Sequence, residues 1–359
     1  MKNKEQIIEV LDYLRNKREN KESFVCDEEA IIASYQKNRS VESLPIKILS
    51  IFGGLLASLA FVGFLFISGL YDSGIALIIL GLICIVAAIL VNKKSDKIIL
   101  DTVTVLFYII GFLLMTMGFN EFKIGDSYIL LLFVFIASCS LIIVHNYILS
   151  FISILIINGC IFGLILTNDV YNLIHIHISV LTGLVSYIIL NEAKIITNSK
   201  ALCRLYKPLR AGLIFSFLVL LIFLGKRGMI ALSPEYTWLS SVIIFLAIIY
   251  LMLKLSDTLH VVNVVQRAVI CILSILVLLP TVWSPAISGA ILIILLSFYV
   301  NYKTGMIVGV IAFIYFISQY YYDLNFTLLT KSMLLISSGI LFLALYLFTR
   351  KSLTKHEKI

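Results

Sequence analysis

The chain has 359 residues, of which 61% are hydrophobic and only 13% charged, and it carries a formal net charge of +8. Soluble domains hold roughly 45–50% apolar and about 25% charged residues, so this composition excludes an ordinary soluble enzyme and turns the surplus apolar surface toward lipid. The positive charge sits in loops and tails rather than on one basic face, which removes nucleic acid as a partner.

The first 44 residues are soluble in character. Ile7, Ile8, Val10, Leu11 and Leu14 form a helical apolar stripe between charged residues, and Arg15, Lys17 and Arg18 close it, where cations suit a helix C-terminus. A second short helix is predicted from Asp27, a good N-cap, through Ile31, Ile32 and Tyr35. The expected arrangement is a cytoplasmic helical hairpin resting on the rest of the protein, with docking on the lipid bilayer or on a membrane-protein partner as the alternative. Charged residues fill the stretch where a cleavable signal peptide would be apolar, so none is expected.

Apolar runs then follow one another, each near the ~20 residues a spanning helix needs. About twelve spans are predicted, at 46–70, 74–91, 99–118, 128–144, 147–167, 173–190, 211–225, 238–253, 268–283, 285–300, 305–321 and 327–349. Only His145-Asn146 and Ser284-Pro285 divide two of the pairs (128–167 and 268–300), so each is either a tight hairpin or a broken helix. The fold class is an all-α polytopic transmembrane bundle, with a basic tail at 350–359.

Lys and Arg support the alternation. With the N-terminus inside, 24 of them fall on the inner side and three (Lys123, Lys226, Arg227) outside, with Lys331 inside the last span. Cytoplasmic loops carry such an excess. This predicts a multi-pass protein of the bacterial cytoplasmic membrane with both ends cytoplasmic. The outer loops hold Asp72, Glu121, Asp126, Asp169, Glu235 and Asp323, which is what remains when cations are kept out. Tyr71, Tyr171, Trp238, Trp283 and Tyr320–Tyr322 fall at span ends, as interfacial aromatics do.

Chemistry is sparse. No phosphate-binding loop, HExxH helix or GxSxG elbow occurs, and the six cysteines form no CxxC pair. Cys84, Cys139, Cys160 and Cys271 lie in apolar runs and read as small buried hydrophobes. His175 and His177 stand two apart, which on a helix turns their rings about 200° from one another and prevents them from chelating one metal, whereas on a frayed helix end or a strand they could. No catalytic, cofactor-binding or metal-binding residue and no cofactor is assigned. Intramembrane polar residues are the better pointers. Asn158 is the most central amide, beside Gly159 and Gly163. Gly54/Ser58 and Gly305/Gly309 repeat the small-residue spacing that lets helices approach. These read as packing seams first. Gln319, with Ser318, is placed beside the tyrosine cluster, where an outward pocket is the alternative to packing. The basic loop 191–210 lies where a linker between two six-span halves would be.

Three stretches carry a family resemblance: Ser43-Leu44-Pro45 leading into Ile51-Phe52-Gly53-Gly54-Leu55-Leu56-Ala57; the hairpin Gly69-Leu70-Tyr71-Asp72-Ser73-Gly74 with the basic end Lys93-Lys94-Ser95-Asp96; and Tyr320-Tyr321-Tyr322-Asp323-Leu324-Asn325-Phe326-Thr327-Leu328-Leu329-Thr330-Lys331-Ser332. On these the chain resembles the bacterial membrane family DUF4401, itself similar in layout to DUF2157. The resemblance implies no reaction, substrate or cofactor. It makes the region from Asp323 to Lys331 the best candidate for a shared role. Three functions remain open: a non-enzymatic component of a membrane assembly, a transporter or channel for a small or amphiphilic solute, and a membrane enzyme acting on lipid.

Overall fold

A computed structural model describes residues 44–69, 73–94, 98–144, 146–226, 236–258 and 284–323, with single positions between 266 and 282 and between 329 and 343. The predicted N-terminal helices, His145, most of the ninth and twelfth spans, Lys331 and the basic tail lie outside the described residues. The described residues are helical and include no strand.

In order, the helices are α1 (Leu44–Ile67), α2 (Gly74–Lys94), α3 (Ile98–Glu121), α4 (Asp126–Ile143), α5 (Tyr147–Thr167), α6 (Leu173–Leu190), α7 (Glu192–Asn198), α8 (Lys200–Gly225), α9 (Thr237–Thr258), α10 (Pro285–Tyr299) and α11 (Lys303–Asp323). Eight of them, α2–α6, α8, α9 and α11, are long and apolar enough to cross a membrane. α1 contributes the shorter apolar stretch Phe52–Leu65, and α10 is apolar over its 15 residues. Hydrocarbon has no water to satisfy backbone amides, so segments this apolar are stable across it only as helices or closed barrels. Their outer faces agree. Tyr128, Leu131, Phe135 and Ile142 of α4, and Ile307, Ile311 and Ile314 of α11, are exposed along one side of each helix. The protein is a multi-pass membrane protein.

Helix ends use one device three times. Lys123, Asp169 and Asn301 have φ of 53°, 55° and 55°. Each follows a helix whose last turn closes with paired backbone bonds, as when Val170 N–H donates to Ile165 O and Asp169 N–H to Leu166 O. This is the left-handed Schellman stop, which uses up otherwise orphaned carbonyls. The α4–α5 junction differs. Val144 (φ −95°, ψ 135°) and Asn146 (φ −83°, ψ 140°) are extended, and the Asn146 side chain caps α5 by accepting from Ile148 N–H at 2.8 Å. α4 and α5 then pack against each other. The pair at 128–167 is therefore a tight hairpin, not a broken helix.

One expectation is corrected. The stretch 191–210 is not a loop. It forms α7 and the first turns of α8, which runs through Pro208 without ending. Ser199 caps α8 by accepting from Ala201 N–H and Leu202 N–H. The missing N–H of Pro208 releases only one carbonyl near the polar start of the helix, where the loss is least costly.

Packing divides into connected cores. Leu65, Leu77, Cys84, Ile110 and Leu114 join α1, α2 and α3. Ile85, Tyr108, Phe112, Phe133 and Leu149 extend this through α4 and α5. The largest core takes α5, α6 and α8–α11, with Ile178, Phe217, Leu221, Ile248, Ile293 and Phe316 buried at its centre. α5 belongs to both of the larger cores and ties them together.

The tightest seam lies between α2 and α3, where sequence reading had marked none. A Cβ on Gly81 would lie 2.6 Å from Gly111 O, and one on Gly111 would lie 2.7 Å from Gly81 O. One heptad away, a Cβ on Gly118 would lie 2.7 Å from Gly74 O. The two backbones touch, and only glycine fits. The expected seams fare unevenly. Gly54 faces Thr102, Gly305 faces Tyr302 and also Ser297 of α10, and Gly309 faces Ile293 and Ile294 of α10. Gly163 meets Leu130, but Gly159 has open space and belongs to no seam.

This contrast gives a test. Gly111→Ala should lower the stability of the purified protein by about 1–3 kcal/mol through overpacking against backbone. Gly159→Ala should be neutral, or stabilising by up to about 1 kcal/mol from helix propensity. Thermal unfolding in detergent reads both, and equal melting temperatures for the two variants would refute the seam.

Candidate functional site

α6 lies between α5 and α8 on one side and α9 on the other. Its row Ile174, Ile178, Leu181 and Val185 fills the large core. That placement buries both neighbouring histidines in opposite directions. His175 is 1% exposed and His177 8%. His175 Nδ1 meets Ser240 Oγ of α9 at 2.7 Å, whereas His177 Nε2 meets Asn158 Oδ1 of α5 at 3.3 Å. The divergence expected of positions two apart on a helix is what the structure has. His175 Nε2 and His177 Nδ1 have no hydrogen-bond partner among the described residues.

Asn158 is thus engaged at both ends of its amide. Its Nδ2 donates to Ile154 O at 2.9 Å, one turn back, and its Oδ1 faces His177. The Tyr108 and Ser153 hydroxyls form a similar contact between α3 and α5 at 3.0 Å. Ser241 Oγ donates to Val282 O at 2.6 Å. These groups are paired helix to helix, whereas Ser140, Thr182 and Ser288 bond carbonyls a turn back in their own chain. Sequence reading named both Asn158 and His177 but did not pair them, because partners 19 residues apart share no motif.

At the α6 N-terminal end, a cavity of about 600 Å³ opens beside Asp169, Tyr171, Asn172, His175 and Tyr236. The Schellman stop at α5 projects Asp169 from the helix end. Tyr171 O–H donates to Asp169 Oδ1 at 2.6 Å. That bond to a carboxylate holds the Tyr171 phenol above its usual pKa. Nearby, Asn168 Nδ2 donates to Leu164 O at 2.8 Å and to Ser127 Oγ at 3.0 Å, tying α5 to the start of α4.

The opposite end of the bundle carries the basic residues. Arg210, on α8, lies 3.4 Å from Glu192 of α7 and donates to Tyr206 O–H at 3.3 Å. Its guanidinium carbon sits 3.7 Å from the Tyr302 ring centroid, a cation–π stack. Lys254 Nζ donates to Leu190 O at 3.3 Å. Toward α3, Asn92 and Asn146 both donate to Asp101 Oδ1, at 3.3 and 3.1 Å. These contacts join the C-terminal ends of α2, α6 and α9 to the starts of α3, α5, α8 and α11, as alternating spans require. In the sequence Arg210 counted only as one more topological charge, and its aromatic stack with Tyr302 was not legible there.

The remaining predicted positions do not gather with Asn158. Gln319 sits on α11 beside Gly225 of α8, half-buried, and neither atom of its amide has a partner among the described residues. Asp323 is the last residue of α11. Lys331 lies outside the described residues. Among the described residues no group of three or more His, Cys, Asp or Glu is placed to hold a metal ion.

A family model described as "Domain of unknown function (DUF4401)" matches residues 43–352. No curated protein matches the chain, and no solved structure does.

The His177–Asn158 contact is measurable. A double-mutant cycle of His177→Ala and Asn158→Ala, read by unfolding in detergent, should give a coupling of about 0.6–2 kcal/mol, the range of interhelical hydrogen bonds within membranes. Additive single effects would show that the two side chains do not bond.

Proposed function

The chain belongs to the DUF4401 family, and from that premise we propose that it is a non-enzymatic component of an assembly in the bacterial cytoplasmic membrane, with both ends on the cytoplasmic side. One observation carries this reading. Among the described residues, the polar side chains Tyr108 with Ser153 and Asn158 with His177 are spent on contacts between helices in the interior of the spans. A solute transporter needs polar groups available to its cargo along the crossing, and Asn158, the amide best placed for that, is packed and bonded to His177 and Ile154. A lipid enzyme needs acid, base or nucleophile clustered at one interface. The Arg210 group instead is internally paired with Glu192, Tyr206 and Tyr302.

The side on which the basic end lies follows from the Lys and Arg count, 24 against three. The segment 1–44, rich in charge and bearing an apolar helical stripe, is the natural docking element for a partner.

Two experiments test this. The first addresses topology. With Cys26 replaced by Ser, the exposed Cys203 near the start of α8 should react with a membrane-impermeant maleimide only after cells are permeabilised. Asp126→Cys, at the exposed start of α4, should react in intact cells when Cys26 and Cys203 are both Ser. The reverse pattern would invert the orientation. The second addresses the assembly. Purification of the tagged protein from native membranes in mild detergent should recover a stoichiometric partner, and deletion of residues 1–44 should release it. A solitary protein would remove the assembly reading and move the weight to transport.

A further inference from the structure

The elbow between α7 and α8 concentrates charge that the bundle itself does not use. Residues 192–210 hold five basic side chains against one acid, Glu192, and Glu192 is committed to Arg210 at 3.4 Å. Other cations near this end are taken up internally. Lys254 Nζ donates to Leu190 O, and Arg267 lies 2.7 Å from Asp257. Lys194, Lys200, Arg204 and Lys207 differ. All four are exposed, and none has an ion-pair partner among the described residues. The fold holds their backbone in place. Ile195 and Ile196 of α7 pack against the large core, and Ser199 caps the start of α8. Lys200, Arg204 and Lys207 follow the i, i+4, i+7 spacing that lines one face of a helix. Ala201, Leu202 and Cys203 are exposed as well, so the first turn of α8 stands clear of its neighbours among the described residues.

We propose that this elbow is a docking surface for anionic phospholipid headgroups. Depth is the first argument. α8 has 26 residues, which at 1.5 Å per residue is about 39 Å, whereas the hydrocarbon core is only ~30 Å thick. Its last 15 residues, 211–225, carry no charge, and most of its buried residues lie among them. The surplus length therefore falls at the N-terminal end and sets Lys200, Arg204 and Lys207 at the level of the headgroups. Charge is the second argument. Basic clusters beside a spanning helix attract the anionic lipids of the adjoining leaflet. Ammonium groups donate to phosphate oxygens as point charges, and the Arg204 guanidinium can donate two parallel bonds to one phosphate. The exposed Leu202 gives the same turn an apolar side chain to lay against the lipid. Because α7 and α8 are already ordered, little conformational freedom is lost when a headgroup docks. The surface needs only that the chain spans a membrane. It is independent of the assembly reading and of which end faces the cytoplasm.

The full-length protein in mild detergent is titrated with phosphatidylglycerol and, separately, with phosphatidylcholine of the same acyl chains, and bound lipid is counted by native mass spectrometry. Phosphatidylglycerol should bind about tenfold more tightly or better, since each Lys or Arg near an anionic surface contributes a factor of about five. Raising the ionic strength should shrink that preference. The triple variant Lys200→Gln, Arg204→Gln, Lys207→Gln should lose most of it. The three side chains are exposed, so an unchanged melting temperature should accompany the loss. A second triple variant, Arg350→Gln, Lys351→Gln, Lys355→Gln, removes the same charge from the basic tail and should keep the preference. The proposal is overturned if the unmodified protein does not distinguish the two lipids, if the preference survives the elbow variant, or if both variants lose it equally, which would assign it to net charge. It is also overturned if a protein partner needs the three elbow cations while phosphatidylglycerol shows no preference. A solitary protein that still prefers phosphatidylglycerol through the elbow would count against the assembly reading alone.

Discussion

Every part of this molecule answers to one constraint: a backbone amide in hydrocarbon has no water to bond to. Helices satisfy that constraint within each segment, and the segments then have little hydrophobic reason to prefer each other over lipid, since lipid tails are as apolar as leucine. What brings the helices together must therefore be close fit and polar contact. Both are present. The α2–α3 backbones touch at Gly81 and Gly111 and again at Gly74 and Gly118. Hydrogen-bonded side chains join helices at several depths.

Those side-chain contacts form a ladder. Asn92, Asn146 and Asp101 bind the basic end. Tyr108 with Ser153, then Asn158 with His177, bind the interior. His175 with Ser240, and Ser127 with Asn168, bind the far end. α5 contributes to most of these rungs through Asn146, Ser153, Asn158 and Asn168, and it also belongs to both larger apolar cores. It is the element whose loss would separate the two parts of the bundle. Each rung is worth about 0.6 kcal/mol on average in membranes, so the ladder sets register and choice of neighbour more than total stability.

Functional meaning follows from which polar groups the ladder leaves unused. At mid-depth its members face each other. On α6 the use is incomplete, because the helix presents two histidines on opposite sides and each keeps one buried ring nitrogen without a partner among the described residues. At the basic end, Arg210 is enclosed by Glu192, Tyr206 and Tyr302 and acts as a clasp between α7, α8 and the turn that precedes α11.

The sequence by itself determined the class. Runs of near-membrane length, separated by turn residues and sorted by charge, are local properties, and the limits of α5 and α6 could be read from them to the residue. The sequence also showed that His175 and His177 diverge, since helix geometry alone requires it. It misread 191–210 as a loop, because helical residues at a membrane surface are polar and look like a linker. It named Gly159 as a seam when that position faces open space, and it passed over Gly81 and Gly111. Which side of a helix meets a neighbour is decided by packing between segments distant in the chain. The same holds for His177 with Asn158, His175 with Ser240, and Arg210 with Tyr302. Each pair exists only because antiparallel helices bring two ends together, a relation that residue spacing along one helix does not contain.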